Sequence, residues 1–390
     1  KIETAVLRGG LFAVAMPRGS GKTTLAEIAC IWAMLIGARE FVCLIGSDAG
    51  HARSMLESIK VEFETNDELL EDYPEAVYPI RALERIHNRA NGQLHNGKPT
   101  RIVWTADEIV LPTIENSKAS SAIIRVAGIE SRIRGMKFKR PDGRAVRPSL
   151  VVIDDPQTDE SARSDPQVRA RMETLTGAIL NLAGPGQKIS GIMPCTVIQS
   201  GDMADQILDR DKHPAWQGER AKMVYAFPTN KKLWEQYAQI RADSFRNDGD
   251  GQEATEFYRQ HQREMDEGAI VAWPHRYNAD EISAIQHAMN LRLQDERAFF
   301  AEYQNEPVKD QIEGDHNHLA PSTIATKTNG MKRGEVPLGV NHLTMFIDVQ
   351  GALLFWMICG WEDDFTGYVI DYGEYPDQKR TYFTLRDARR

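Results

Sequence analysis

Short apolar runs alternate with longer amphipathic stretches over the first 200 positions of the chain. Apolar runs bounded by turn-forming residues are typical of buried strands, and longer stretches with helical spacing are typical of helices. The predicted strands are residues 11–15, 41–45, 101–105, 123–127, 150–153 and 188–193. The predicted helices are residues 23–36, 49–65 and 165–181. This alternation predicts an α/β fold with a mostly parallel sheet flanked by helices.

The pattern changes after about residue 225. Residues 231–310 are rich in charged and helix-forming positions, which predicts a helical linker subdomain, and residues 310–339 have the polar composition of a boundary loop. Strand candidates follow at residues 343–349, 353–361 and 366–371, the shape of a β-meander opening a second α/β domain. The predicted domains are therefore residues 1–225, 226–339 and 340–390.

Composition narrows the class of protein only slightly. The 390 residues are 42% hydrophobic and 26% charged, as in an ordinary globular protein. The longest apolar run, residues 29–36, is far shorter than the ~20 residues of a membrane span, so no membrane association is expected. The four cysteines have no metal-binding spacing and are predicted to be reduced core residues of a cytosolic protein: Cys30, Cys43, Cys195 and Cys359.

Net charge is −9, which argues against a protein that coats nucleic acid over its whole surface. Residues 125–147 are different, because eight basic residues face only two acidic ones there. Such a segment is either a footprint for the phosphates of DNA or a solvated basic hairpin. The DNA-binding candidates are Arg132, Arg134, Lys137, Lys139 and Arg140.

The clearest chemical signal is AVAMPRGSGKTT at residues 13–24, an apolar strand followed by a glycine-rich loop that ends in Gly-Lys-Thr. Loops of this kind wrap backbone N–H groups around the phosphates of a nucleotide at a helix N-terminus. Met16 stands where the usual pattern has its first glycine. The predicted phosphate-binding residues are Gly19, Ser20, Gly21, Lys22, Thr23 and Thr24, with Lys22 on the β- and γ-phosphates and Thr23 on Mg²⁺.

A second signal is SLVVIDDPQ at residues 149–157, a short buried strand that ends in two carboxylates. In nucleotide hydrolases the first such acid holds Mg²⁺ and the second orients the attacking water. Asp154 and Asp155 are assigned these roles, and the alternative is that they only begin a loop. Together with the phosphate loop, the motif predicts hydrolysis of ATP or GTP.

Three further features narrow the nucleotide hydrolase. The sequence between the two motifs leaves room for other strands, so the motif strands need not be adjacent, and an added strand between them is typical of ATP-driven motors. The only Asn-Lys pair, at residues 230–231, lacks the aspartate of a GTP reader. No arginine finger of a second helicase motor follows residue 200. The class of protein that these features leave is an ATPase with a single motor domain and appended modules.

The same motifs, in the same order, resemble the large terminase subunit of tailed bacteriophages. The phosphate loop and the acidic motif of that family are similar to MPRGSGKTT and SLVVIDDPQTDESARS. Its arginine-containing segment is similar to VAGIESRIRGMKF, and its coupling segment is similar to SGIMPCTVIQSGDMADQIL. Its linker is similar to two stretches, DEGAIVAWPHRYNADEI and FFAEYQNEPV. The first strand of its ribonuclease-H-like nuclease resembles TMFIDVQ.

The resemblance implies a role for particular residues. Arg18 matches the arginine proposed to neutralise charge on the γ-phosphoryl group, with a surface ion pair as the alternative. Thr196 matches the coupling motif that senses the γ-phosphate. Asp155 stands where many members carry glutamate, so the alternative is that another acid orients the attacking water. Asp348 matches the first carboxylate of a Mg²⁺- or Mn²⁺-dependent nuclease, with a solvent-facing strand acid as the alternative.

The implied protein is an ATP-hydrolysing motor that moves double-stranded DNA into a viral procapsid, with an endonuclease that cuts concatemeric DNA. Its implied partners are the portal protein, the small terminase subunit and further copies of itself in a ring, in the host cell cytoplasm. Residues 344–390 are few for a domain of typical size, which predicts an incomplete nuclease in this chain. The alternatives are a helicase-like remodeller and a nucleotide-gated scaffold with negligible hydrolysis.

Overall fold

The computed structural model describes residues 1–131, 133–140, 143–308, 323, 325–350 and 353–380. The chain forms two compact units, Lys1–Asp310 and Gln311–Arg390. Arg132, a DNA-binding candidate, lies outside the described residues.

The helices and strands follow one another in the order that the apolar pattern indicates. The helices are α1 (Ile2–Leu7), α2 (Lys22–Leu35), α3 (Ala49–Thr65), α4 (Asp67–Asp72), α5 (Pro74–Arg81), α6 (Asp159–Ala162), α7 (Asp165–Gly177), α8 (Met203–Leu208), α9 (Lys231–Arg246), α10 (Gln252–Met265), α11 (Ala284–Gln294) and α12 (Glu296–Ala298). Single turns of 3₁₀-helix lie at His87–Ala90, Ile179–Asn181 and Pro214–Trp216, and Phe299–Tyr303 is π-helical.

The strands are β1 (Leu11–Ala15), β2 (Phe41–Gly46), β3 (Leu94–His95), β4 (Lys98–Pro99), β5 (Val103–Trp104), β6 (Glu108–Val110), β7 (Ile123–Gly128), β8 (Phe138–Lys139), β9 (Ala145–Val146), β10 (Leu150–Ile153), β11 (Ser190–Cys195), β12 (Glu219–Arg220), β13 (Val224–Ala226), β14 (Ile270–Val271), β15 (His342–Gln350), β16 (Leu353–Trp361) and β17 (Gly367–Tyr375). The predicted helix at residues 165–181 is interrupted after Gly177, and the predicted strand at 101–105 is only two residues long.

The first unit is built on an eight-stranded sheet in the order β12-β1-β11-β10-β2-β7-β6-β5. The strands from β12 to β7 are parallel, and β6 and β5 extend the sheet antiparallel. Every residue of β2, β10 and β11 is buried, because helices cover both faces of the sheet. The predicted α/β class is confirmed.

The order of the central strands matters for function. Strand β11 pairs in parallel with β1 on one side and with β10 on the other, so it lies between the two strands that carry the sequence motifs. This is the inserted strand that the sequence analysis associates with motor ATPases.

Two glycines form the last rung between β2 and β7. Gly46 pairs with Gly128, and the first turn of α3 packs directly against both. A Cβ atom on Gly46 would lie 2.8 Å from the Ala52 nitrogen, and one on Gly128 would lie 2.6 Å from the Ala49 nitrogen. Real Cβ atoms do not approach so closely, so this rung needs glycine in both strands.

The rest of the first unit is mostly helical, as predicted. Helices α9, α10 and α11 pack around a separate aromatic core that includes Trp234, Tyr237, Tyr258 and Phe299. The short antiparallel pair of β13 and β14 joins this core to the end of the large sheet, and the apolar pattern did not predict it.

In the second unit, β15, β16 and β17 form an antiparallel meander, as predicted. Several large apolar side chains of this sheet are exposed, among them Phe346, Ile347 and Val349.

The cysteines are all free thiols; Cys30, Cys43 and Cys195 are buried and Cys359 is half-buried. Within the described ranges, no helix is both long and apolar enough to span a membrane.

Candidate functional site

The glycine-rich loop connects β1 to α2 and is shaped by two left-handed glycines. Gly19 has φ 73° and Gly21, the N-cap of α2, has φ 78°, values that residues with a Cβ adopt at a cost. Helix α2 has 14 residues, so its N-terminus offers unpaired backbone N–H groups and a positive dipole end at this loop. Ser20 lies between the glycines with a buried hydroxyl that has no hydrogen-bond partner in the described structure. Thr24 is exposed in the first turn.

Lys22 is the most constrained cation of the loop. Only 9% of the residue is exposed, and its ammonium lies 2.8 Å from the Asp155 Oδ2 atom. The same ammonium contacts the Thr196 hydroxyl, which in turn lies 3.4 Å from Asp155 Oδ1. These three residues come from the segments that follow β1, β10 and β11, so the three central strands converge on one point.

Thr23 and Asp154 form a second contact beside the first. The Thr23 hydroxyl donates to Asp154 Oδ2 over 2.8 Å. Asp154 is fully buried, and its other oxygen, Oδ1, has no hydrogen-bond partner among the described residues. A buried carboxylate oxygen without a donor is costly unless a cation binds it, so the pair fits the hard oxygen-ligand preference of Mg²⁺.

His51, in the first turn of α3, was missed in the sequence analysis. Its Nε2 atom lies 3.5 Å from Asp154 Oδ2, and this carboxylate raises the pKa of His51, although burial opposes the shift. The sequence shows only that His51 follows the predicted strand at residues 41–45; the pairing of this strand with β10, which brings His51 to Asp154, is seen in the structure alone.

Asp155 occupies an unusual backbone position. Its φ is 38°, in the left-handed region, and its N–H donates to the Pro194 carbonyl over 3.1 Å. Burial raises the pKa of Asp155, and the Lys22 ammonium partly offsets this. The carboxylate is thus a better base than an exposed aspartate while it stays paired with a cation.

Arg18 is largely exposed and forms the ion pair that the sequence analysis gave as the alternative to a phosphate contact. Its Nη1 atom lies 2.7 Å from Glu302 Oε2, and its backbone N–H donates to the Glu302 carbonyl over 2.9 Å. The Glu302 carboxylate raises the pKa of Arg18. Arg276 donates to the Arg18 carbonyl, so the helical part of the unit contacts the glycine-rich loop at two points.

A cavity of about 650 Å³ opens over these groups. Lys22, Asp155, Thr196, Arg18 and Glu302 are among the residues that line it. The volume suits a nucleotide-sized ligand. Of the predicted ATPase residues, Arg18, Lys22, Asp155 and Thr196 line one cavity, while Thr23 contacts Asp154 beside it.

The basic segment divides into exposed and buried residues. Arg134, Lys137 and Lys139 are exposed, the last on the β8–β9 hairpin. Arg140 is buried; it lies 3.4 Å from Glu40 and donates to the Ser121 carbonyl over 3.1 Å. The Arg140 guanidinium therefore has partners inside the fold, unlike those of the exposed candidates, and its role as a DNA contact stays a prediction.

In the second unit, Asp348 lies on β15 and accepts a hydrogen bond from the Gln350 amide over 2.7 Å. Asp348 pairs with Phe355, which pairs with Glu374, so all three share one face of the sheet. Asp371 pairs with Ile358 instead, which places it on the opposite face, where it forms an ion pair with Arg333. The described residues contain no cluster of three or more potential metal ligands.

Comparison with known proteins gives one family match. Residues 293–388 match the model of the family described as terminase large subunit gpA, endonuclease domain. Two crystal forms of the large terminase from a thermophilic bacteriophage are similar in structure, each with 10% identity, coverage of 96% of this chain and 68% of the other, and a TM-score of 0.33. So low a TM-score supports no argument about function.

No curated protein matches the sequence. The family match lies in the C-terminal part of the chain, and the matched residues include Asp348 as well as Glu302, which lines the cavity above Lys22. It agrees with the resemblance that the ordered motifs indicate. Over residues 293–388 the chain is similar to the endonuclease domain of the large terminase subunit, which supports the recognition made from the ordered motifs.

Proposed function

We propose that this chain is an ATP-hydrolysing motor that moves double-stranded DNA into a viral procapsid, joined to a metal-dependent endonuclease that cuts concatemeric DNA. The observation that carries the motor half is the convergence of Lys22, Asp155 and Thr196 at the carboxyl ends of parallel strands. Such edges are where open α/β sheets bind ligands. The inserted strand β11 supports a motor ATPase rather than a nucleotide kinase.

Each residue of the site has a separate task in this proposal. Gly19, Ser20, Gly21 and Lys22 bind the phosphates, and Thr24 supports them from the first turn of α2. Thr23 and Asp154 hold Mg²⁺, which supplies charge neutralisation on the phosphate oxygens when bound. Asp155 orients the attacking water.

Two further residues face the terminal phosphate. Thr196 reports the presence of the γ-phosphate, since its hydroxyl already contacts Lys22 and Asp155. Arg18 neutralises charge that develops on the transferred group, and it must exchange its contact with Glu302 for one with the phosphate to do so.

DNA binding is assigned to the exposed basic residues Arg134, Lys137 and Lys139. They would contact phosphates without reading sequence, so binding should weaken steeply with salt. The endonuclease half uses Asp348 as a ligand of Mg²⁺ or Mn²⁺. The packaging partners are the portal protein of the procapsid, the small terminase subunit and further copies of the chain in a ring, in the cytoplasm of the host cell.

The decisive experiment measures ATP turnover with and without linear duplex DNA for the parent, Lys22→Ala and Asp155→Asn. We expect turnover in the parent, stimulation by DNA, and loss in both variants by on the order of 10²–10³-fold, as for removal of a preorganised charge-stabilising group. The matched control is Lys60→Ala, because Lys60 is also buried but pairs with Glu57 far along α3.

The possible outcomes separate the parts of the proposal. Loss with Lys22→Ala but not with Asp155→Asn would move the water-orienting role to another carboxylate. Absence of turnover in the parent, with and without DNA, would contradict the motor. Equal loss with Lys60→Ala would show that the variants report on folding rather than on the site.

A further inference from the structure

The end of the helical part of the first unit reaches into the nucleotide site through one buried amide. Asn305 follows the π-helical turn Phe299–Tyr303 and is fully buried, with φ 52°. Asparagine tolerates this left-handed conformation better than most residues with a side chain. The preceding residue, Gln304, is also buried and makes two hydrogen bonds to the backbone of Val224.

The polar groups of Asn305 hold three segments together. Its side-chain oxygen accepts a hydrogen bond from the Val197 backbone N–H over 3.2 Å. Its side-chain nitrogen donates to the Ala221 carbonyl over 2.9 Å, and its own carbonyl accepts from Arg220 over 3.0 Å. Because Asn305 and Val197 are both fully buried, no water can replace this amide without repacking.

Val197 directly follows Thr196, whose hydroxyl contacts both Lys22 and Asp155. The peptide between Thr196 and Val197 is planar, so the hydrogen bond from Asn305 also fixes where the Thr196 side chain begins. Small displacements of groups around a reacting phosphate lower the rate strongly, because catalysis there depends on positioning.

We infer that Asn305 is a positioning residue for ATP hydrolysis: it holds the Val197 backbone so that the Thr196 hydroxyl stays against Lys22 and Asp155. Through the same amide, the helical part of the unit is connected to the sensor of the terminal phosphate. The inference rests on the proposed ATPase function.

The first test is Asn305→Gly, which keeps the left-handed backbone without strain and removes the amide. We expect kcat to fall about tenfold, since a misplaced Thr196 weakens the transition state. Binding of a non-hydrolysable ATP analogue should change by less than about threefold, because the phosphate loop itself is unaltered.

A double-mutant cycle with Thr196→Ala separates positioning from general damage. If Asn305 acts through Thr196, Asn305→Gly should lower kcat no further once the Thr196 hydroxyl is gone. Falls in kcat that multiply in the double variant would overturn the inference, as would an unchanged kcat in Asn305→Gly alone.

Two controls keep the test independent of folding. Asn290→Ala removes a buried amide from α11 that bonds Tyr237 and Glu281, and it should lower stability without changing kcat. Asn305→Asp keeps the acceptor for Val197 but places a carboxylate oxygen against the Ala221 carbonyl, so its kcat should fall, yet less than that of Asn305→Gly. A fall as large as in Asn305→Gly would count against the inference, and this variant decides if Asn305→Gly does not fold.

Hydrogen exchange of the Val197 amide gives a readout without turnover. Asn305→Gly should expose this N–H and speed its exchange, whereas Asn290→Ala should not. If Asn305→Gly speeds the exchange of the Val197 amide but the parent shows no ATP turnover, the contact between Asn305 and Val197 is established and only the proposed function is contradicted. Unchanged exchange would overturn the inference whatever the turnover.

Discussion

Asp154 and Asp348 occupy similar positions in the sequence, after or within an apolar strand, but lie in very different surroundings. Asp154 is fully buried and contacts Thr23 and His51. Asp348 is half-buried, and its hydrogen bond is to Gln350, two residues away on the same strand. An apolar strand carries the acid in both cases, and the helices that cover the first sheet make the difference.

The two sheets explain this difference. In the first unit the central strands are buried on both faces, so the side chains that follow β10 and β11 and those of helices α2 and α3 are held against one another. In the second unit much of β15 is exposed. A carboxylate belongs to a well-defined site when side chains from several helices and strands contact it. A strand by itself brings to the carboxylate only the residues next to it in the sequence.

The largest expected effect separates the two acids directly. Asp154→Asn should lower ATP turnover by on the order of 10²-fold or more, because it weakens the ligand for the cation on the phosphates. Asp348→Asn should leave turnover unchanged and abolish metal-dependent cutting of DNA by a version that has the whole nuclease domain. Parallel ATPase and nuclease assays on both variants check this, and loss of both activities in either variant would break the comparison.

The second prediction compares the two sheets by the same change, isoleucine to alanine, made once in each. Ile45→Ala, in the buried strand β2, should lower the free energy of unfolding by about 2–5 kcal/mol. Ile347→Ala, at a position 48% exposed on β15, should cost less than about 1 kcal/mol. Denaturant titration measures both, and a large loss for Ile347→Ala would show that β15 is covered in solution.

The third prediction concerns a buried acid away from the cavity, Glu281. Burial alone would raise its pKa, but hydrogen bonds from His287 and Asn290 hold the pKa below its usual range. Because the folded pKa lies below the unfolded one, the contribution to stability is full above about pH 4.3 and is lost as pH falls through the folded value.

In Glu281→Gln the free energy of unfolding should therefore fall less as pH is lowered into the acid range. The difference from the parent should be about 1.4 kcal/mol for each unit by which the pKa of Glu281 is lowered. Denaturant titrations at several acidic pH values check this. A limb as steep as that of the parent would assign the dependence to other carboxylates.

The smallest expected effect is that of Glu302→Gln on stability. The ion pair with Arg18 is largely exposed on the arginine side, so its loss should cost less than about 1 kcal/mol. Thermal unfolding of the variant at low and high salt measures it. A cost that salt does not reduce would mean that the charge on Glu302 is not what stabilises the contact.

The sequence predicted the parts of the fold that depend on local patterns. Strands β1, β10 and β16 and helix α3 have the predicted bounds, because apolar runs and caps define them locally. The short pairs β3–β4 and β13–β14 were missed, since two- or three-residue strands leave no periodicity.

For the candidate site, the sequence motifs named residues but not the contacts between them. Lys22 and Asp155 were named from motifs, whereas His51 and Asn305 reach the site from other parts of the chain through strand order and buried packing. The burial of Arg140 was not predictable either, because a charge count cannot distinguish a surface guanidinium from one that pairs inside the fold.

The glycine rung between β2 and β7 has a consequence for how this sequence can vary. Gly46 and Gly128 touch no predicted site residue, yet together they let α3 begin where His51 lies beside Asp154. A methyl group at either position would push the first turn of α3 outward and carry the imidazole with it. The two positions should therefore tolerate mutation as poorly as the acid itself, and replacing one glycine should not be rescued by any change at the other.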